Sequence, residues 1–180
     1  MELKIKISFP DGNTKEYDKG ITGADIAKSI SSSLLREALA IGVNAEVWDL
    51  SRKIETDASI KILKWQDADG KDAYWHSSSH LMAEAVQSFF PGTKFGIGPS
   101  IDHGFYYDLD MGNHTLTPDD LVKIEQKMFE FSKRDTPFIR TEKSWEDAVA
   151  YFKQKNDPYK LELLDELKGQ QISFYTHGNF

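Results

Sequence analysis

Leu3, Ile5, Ile7 and Phe9 alternate with Lys4, Lys6 and Ser8. That period of two predicts a strand with one apolar and one wet face, beginning with the first residues Met1 and Glu2. Pro10-Asp11-Gly12-Asn13 is a turn, and Thr14 to Tyr17 returns as the second strand of a hairpin. Thr22 and Asp25 have the spacing of a capping box, so a helix is predicted over about Gly23 to Ser31 with Ile26, Ala27 and Ile30 on one face. Short strands are predicted at Ala40–Asn44, Glu46–Trp48 and Ile60–Lys64. Hairpin, helix and short strands within residues 1–64 suggest a small mixed sheet crossed by a helix.

The pattern then changes period. Gln66 to Asp72 is polar and reads as a hairpin or linker, and a helix is predicted from about Ala73 to Phe90, stopped by Pro91-Gly92. Two strands follow, Lys94–Gly98 and Gly104–Asp110. Pro118 opens a helix to about Arg134, Phe138–Lys143 is strand-like, Trp145–Lys155 and Pro158–Leu167 are helical, and Ile172–Thr176 is a last strand. The fold class is therefore α+β, with a domain boundary near residue 64 separating 1–64 from 65–180.

Charge sharpens that boundary. Acidic and basic residues balance over 1–64, whereas the whole net charge of −7 falls on 65–180. An acidic chain is a poor stand-alone nucleic-acid binder, because neutralising phosphates takes a surplus of Lys and Arg. Cysteine is absent, which excludes disulfides and thiolate chemistry within these residues. No apolar run approaches the roughly 20 residues of a membrane span. The N-terminus has no signal-peptide core, so the expected compartment is the cytoplasm.

Candidate chemistry concentrates in His76-Ser77-Ser78-Ser79-His80. On a helix, His76 and His80 share a face with Glu84 and Gln87, opposite an apolar set of Leu81, Met82, Ala85, Val86 and Phe89. A start at Ala73 puts both histidines in the first turns, where the helix dipole favours neutral imidazole, the form a base or metal ligand needs. Taken alone, the pair stands equally well as surface or capping residues. A zinc-protease motif is excluded, because Ser77 occupies the position of its glutamate. The second cluster is Gly96-Ile97-Gly98-Pro99-Ser100-Ile101-Asp102-His103-Gly104-Phe105-Tyr106-Tyr107-Asp108. Its glycines allow close backbone approach, to a ligand or simply between two core strands.

Taken together, His76-Ser77-x-x-His80-Leu81 and Ile97-Gly98-Pro99-x-Ile101-Asp102-x-Gly104-Phe105-Tyr106-Tyr107-Asp108 resemble the signature of the editing domain of bacterial threonyl-tRNA synthetases. Residues 1–64, with Pro10-Asp11-Gly12 and Val43-Asn44, resemble that family's small β-grasp domain, called TGS. Trp145 and Tyr159-Lys160 fall in the family's order, so the resemblance covers the whole chain.

The resemblance implies an editing function. A synthetic site cannot fully reject serine, since one methyl contributes only about 1–3 kcal/mol of discrimination. A second site then hydrolyses the ester of seryl-tRNA(Thr). In this reading His76, His80 and Lys160 are catalytic, with His76 orienting or activating water and Lys160 facing the developing oxyanion. His80, Tyr107 and Gly98 bind substrate. Asp102, Asp108 and Asp110 are structural and His103 is not catalytic. The family continues past Phe180 with an Asp and a Cys-x-x-x-His that complete the cleft, so the chain reads as a fragment with its editing domain truncated. The fragment is expected to hydrolyse ester poorly, to hold no metal or cofactor, and to bind tRNA weakly. The full-length enzyme would use ATP, Mg and Zn in its catalytic domain and form a homodimer through domains absent here. Its partner would be the acceptor end of tRNA(Thr) carrying serine, with no membrane involved. Two other classes remain: a non-catalytic TGS-containing regulatory or binding module, and an alanyl-type metal-bound trans-editing protein.

Overall fold

The computed structural model describes residues 3–180; Met1 and Glu2, where the alternating pattern begins, lie outside the described residues. The chain divides into two compact units, one reaching Trp75 and one running from His76 to Phe180.

In the first unit, β1 (Lys4–Ser8) and β2 (Thr14–Asp18) form the expected hairpin. Then come β3 (Ile21–Thr22), α1 (Gly23–Ile30), α2 (Ser32–Glu37), β4 (Ala40–Val43), β5 (Glu46–Trp48), β6 (Lys53–Ile54) and β7 (Ala58–Leu63). Five strands form one sheet in the order β2-β1-β7-β4-β5, with β1 and β7 parallel and the other pairs antiparallel. This is a β-grasp-like arrangement. Ile5 and Ile7 point from β1 into a core with Ile26 of α1, Ile41 and Val43 of β4, and Ile60 of β7. Thr22 caps α1, accepting from the Asp25 N–H at 3.2 Å. Ile30, expected on the buried face of α1, is exposed. The helix stops there because Ser31 leaves helical geometry and its side chain caps α2 through the Leu34 N–H.

The polar stretch 66–72 is neither hairpin nor linker. From Ala68 it is already helical, and α3 runs Ala68–Phe89. Its start is fixed locally: Asp67 accepts from the Lys64 N–H at 2.9 Å and pairs with Lys61. A side chain at Gly70 would lie 2.2 Å from the Lys64 carbonyl oxygen, so only glycine fits this approach.

In the second unit, β8 (Lys94–Phe95), β9 (Ser100–Ile101), β10 (Gly104–Phe105) and β11 (Leu109–Asp110) replace the two longer strands expected. They are one interrupted hairpin. β8 pairs with β11, β9 with β10, and three bonds bridge the gap: the Gly96 N–H to the Asp108 carbonyl, the Asp108 N–H to the Ile97 carbonyl, and the Tyr106 N–H to the Pro99 carbonyl. The register slips by one residue between the two pairs, because Gly96 and Ile97 both bond Asp108, a β-bulge that interrupts the ladder. α4 (Pro118–Ser132) opens on a capping box between Thr117 and Asp120. β12 (Phe138–Lys143), α5 (Trp145–Gln154), α6 (Pro158–Asp165) and β13 (Ile172–His177) complete the unit, with β12 and β13 antiparallel over six residue pairs. The core gathers Ala83, Ala85 and Val86 of α3, Phe95, and Ile124 and Phe131 of α4. Among the described residues no helix is long and apolar enough to cross a membrane.

Candidate functional site: a stacked histidine pair beside a half-buried lysine

With α3 starting at Ala68, His76 lies in its third turn and His80 in its fourth. The dipole argument for neutral imidazole therefore does not apply, because that effect is confined to the first turn. Burial does the work instead. The pKa of His80 is lowered to about 4, first by desolvation, then by the positive charges of His76 and Lys160. The two rings stack nearly parallel, at 3° and 4.9 Å between centroids. Their Nε2 atoms are 3.0 Å apart, so one ring holds the shared proton. A neutral His80 presents an acceptor there, and His76, the exposed member, faces solvent.

The face carrying His80 is not a bare polar surface. Phe138 of β12 meets His80 edge-on at 6.3 Å and stacks on His177 of β13 at 4.7 Å. His177 in turn bonds Glu84 through Nδ1 at 2.5 Å. The apolar stripe also differs from expectation. Ser79 and Ala83 are buried with Ala85 and Val86, whereas Phe89 is 40% exposed. Ser79 tolerates burial because its hydroxyl donates to the His76 carbonyl at 2.8 Å.

Lys160 enters from the first turn of α6, capped by Asp157. Its ammonium donates to the Gly96 carbonyl at 2.8 Å. Desolvation lowers its pKa, against the opposing pull of Asp157. An ammonium has three donors, and one goes to Gly96. Tyr107 packs beside Phe95 at 5.4 Å, and its pKa is raised by burial and then by the charge of Asp157. Gly98 lies under the Tyr107 ring: a Cβ there would be 2.7 Å from ring carbons. Of the five residues expected from sequence, His76 meets His80 and Gly98 meets Tyr107, while the Lys160 charge acts on His80. Asp102 and His103 sit exposed at the hairpin tip. Asp110 accepts from the Tyr159 hydroxyl at 2.8 Å.

A cleft of about 380 Å³ lies nearby, lined by Asp108, Asp110, Glu162 and Glu166 among others, and includes neither histidine nor Lys160. Four carboxylates repel a phosphate backbone, so the histidine face is the better candidate for an anionic substrate. Among the described residues no three His, Cys, Asp or Glu side chains form a metal-binding group. Sequence reasoning left out Phe138, Glu84, His177 and Asp157 as site residues. Glu84 alone carried a signal, sharing the wheel face of the histidines.

The architecture of the first unit has a known counterpart, since residues 5–64 match the TGS domain family. Across nearly its full length the chain is also similar to threonine–tRNA ligases. It is 52% identical over 176 residues to that of Cytophaga hutchinsonii, 52% over 177 residues to that of Porphyromonas gingivalis, and 47% over 176 residues to that of Bacteroides fragilis. Each alignment covers 98% of this chain and 27% of the relative, so the chain spans about a quarter of their length. It is homologous to the N-terminal part of threonine–tRNA ligase.

Proposed function

We propose that the chain is the TGS and editing region of a threonine–tRNA ligase, with the domains dividing near residue 64, and that its second domain hydrolyses mischarged seryl-tRNA(Thr). The observation that carries this reading is the Nε2 to Nε2 approach of His76 and His80 beside the Lys160 ammonium. Ester hydrolysis needs a group to take a proton from water and a cationic donor for the oxyanion. His76, the exposed ring, orients or activates the water, and His80, kept neutral by burial, accepts a hydrogen bond from the His76 Nε2–H and holds that ring in place. Lys160 donates to the tetrahedral oxyanion. Tyr107 over Gly98 forms the wall that holds the seryl moiety and the terminal adenosine. A site without room for one more methyl excludes threonine.

The rest of the ligase, outside this chain, supplies ATP, Mg and Zn chemistry, most phosphate contacts and the dimer interface. The cytoplasm is where such an enzyme works. The test is hydrolysis of seryl-tRNA(Thr) by the full-length ligase. His76→Ala and Lys160→Ala are expected to slow it by about a hundredfold or more, with aminoacylation by the same preparation as the control for folding. Undiminished hydrolysis by both variants overturns the reading.

A further inference from the structure

We propose that Glu84 and His177 are positioning residues that hold His80 in place through Phe138. Four side chains close a loop. His80 meets the edge of Phe138 at 6.3 Å, and Phe138 stacks on His177 at 4.7 Å and 25°. His177 Nδ1 donates to Glu84 Oε2 at 2.5 Å. Glu84 lies one helical turn beyond His80 on α3, on the same face. The loop therefore starts and ends on one rigid element.

Each link constrains the next. The side chains of His177 and Glu84 are only 7% and 15% exposed. A carboxylate and an imidazole this buried each need a partner, so their separation is fixed by the penalty of parting them. His177 is the register partner of Phe138 across β12 and β13, so fixing one ring fixes the plane of the other. Phe138 then shields one side of His80 while His76 stacks on the ring itself. The titratable groups that act on His80 are His76 from its own helix and Lys160 from α6, with the Glu84–His177 pair behind Phe138. The pair thus acts on His80 by geometry and exclusion of water. The consequence for hydrolysis rests on the function proposed above; the consequence for the His80 ring does not.

The test follows the ring Cε1–H signals of the five histidines by NMR in the 180-residue chain, with His80→Gln to assign His80. In Glu84→Ala, water reaches His80, and its titration midpoint is expected to rise by about one unit or more from about 4. Glu84→Gln keeps an acceptor for the Nδ1–H and is expected to restore the His80 signal. Phe138→Leu leaves the pair intact but removes the aromatic wall, and is expected to move His80 as Glu84→Ala does. It decides the matter if Glu84→Ala does not fold. An unmoved His80 signal in Phe138→Leu, or a Gln variant that behaves like Ala, overturns the proposal. In the full-length ligase, Glu84→Ala is expected to slow hydrolysis of seryl-tRNA(Thr) by about ten- to a hundredfold. Unchanged hydrolysis with a displaced His80 signal upholds the positioning and overturns the editing assignment instead.

Discussion

Lys160 lies 64 positions beyond Gly96 in the chain, yet its ammonium donates to the Gly96 carbonyl at 2.8 Å. That bond holds the only cation of α6 in its half-buried place beside His80. Lysine charge and imidazole charge are thereby opposed, and the opposition is measurable. In Lys160→Met the positive charge disappears, so the His80 titration midpoint is expected to rise, but only in part, because burial, the larger cause of its low value, remains. Lys160→Arg keeps the charge and should leave the midpoint low. Histidine ring NMR titrations of the two variants make the comparison.

Stability should fall in acid for the same reason. His80 has a pKa of about 4 when folded and about 6.5 when unfolded, so between those values the unfolded chain binds the extra proton. The neutral-histidine contribution is complete above pH 6.5 and is lost as pH falls toward 4. Its size is of the order of 2–3 kcal/mol. Urea unfolding at pH 7 and pH 4.5 should show a drop in midpoint that is clearly smaller in His80→Gln.

Gly98→Ala should be costly. The new methyl would lie 2.7 Å from the Tyr107 ring, which also packs against Phe95. Overpacking of this kind costs about 1–3 kcal/mol. Thermal unfolding should show the loss, and the Tyr107→Leu, Gly98→Ala double variant should recover part of it.

Trp145→Phe tests the link between α5 and α6. The indole N–H donates to the Leu164 carbonyl at 2.7 Å, near the C-terminal end of α6. Phenylalanine fills most of the space but removes the indole donor, and the carbonyl keeps its backbone bond from the Leu167 N–H. A loss of about 1–2 kcal/mol is expected in urea unfolding.

Strands whose side chains alternate were legible. β1 shows it best, since Ile5 and Ile7 carry the whole inward face and Lys4 and Lys6 the outer one. The start of α3 was not legible, because Ala68 to Asp72 has no apolar period; it is held by the Asp67 side chain and the Gly70 contact with Lys64, short-range polar contacts that leave no hydrophobic pattern. The interrupted hairpin was half visible: two strands and a turn can be read, but nothing local says that Gly96 and Ile97 share one partner in Asp108. The histidine spacing put His76 and His80 on one helix face, where their rings meet, and the neutral state of His80 rests on burial and not on the helix dipole. Glu84 and His177 stand 93 positions apart, and only the fold brings them together.

The Gly96 carbonyl has one further consequence. It belongs to the main chain, and the N–H of the same residue is tied to the Asp108 carbonyl at 2.9 Å. The acceptor that aims the Lys160 amine therefore has no side chain to lose. Drift in sequence around it can remove the amine but cannot delete its anchor by exchanging one residue for another. The chemistry on this face is thus more exposed to mutation than the scaffold that orients it.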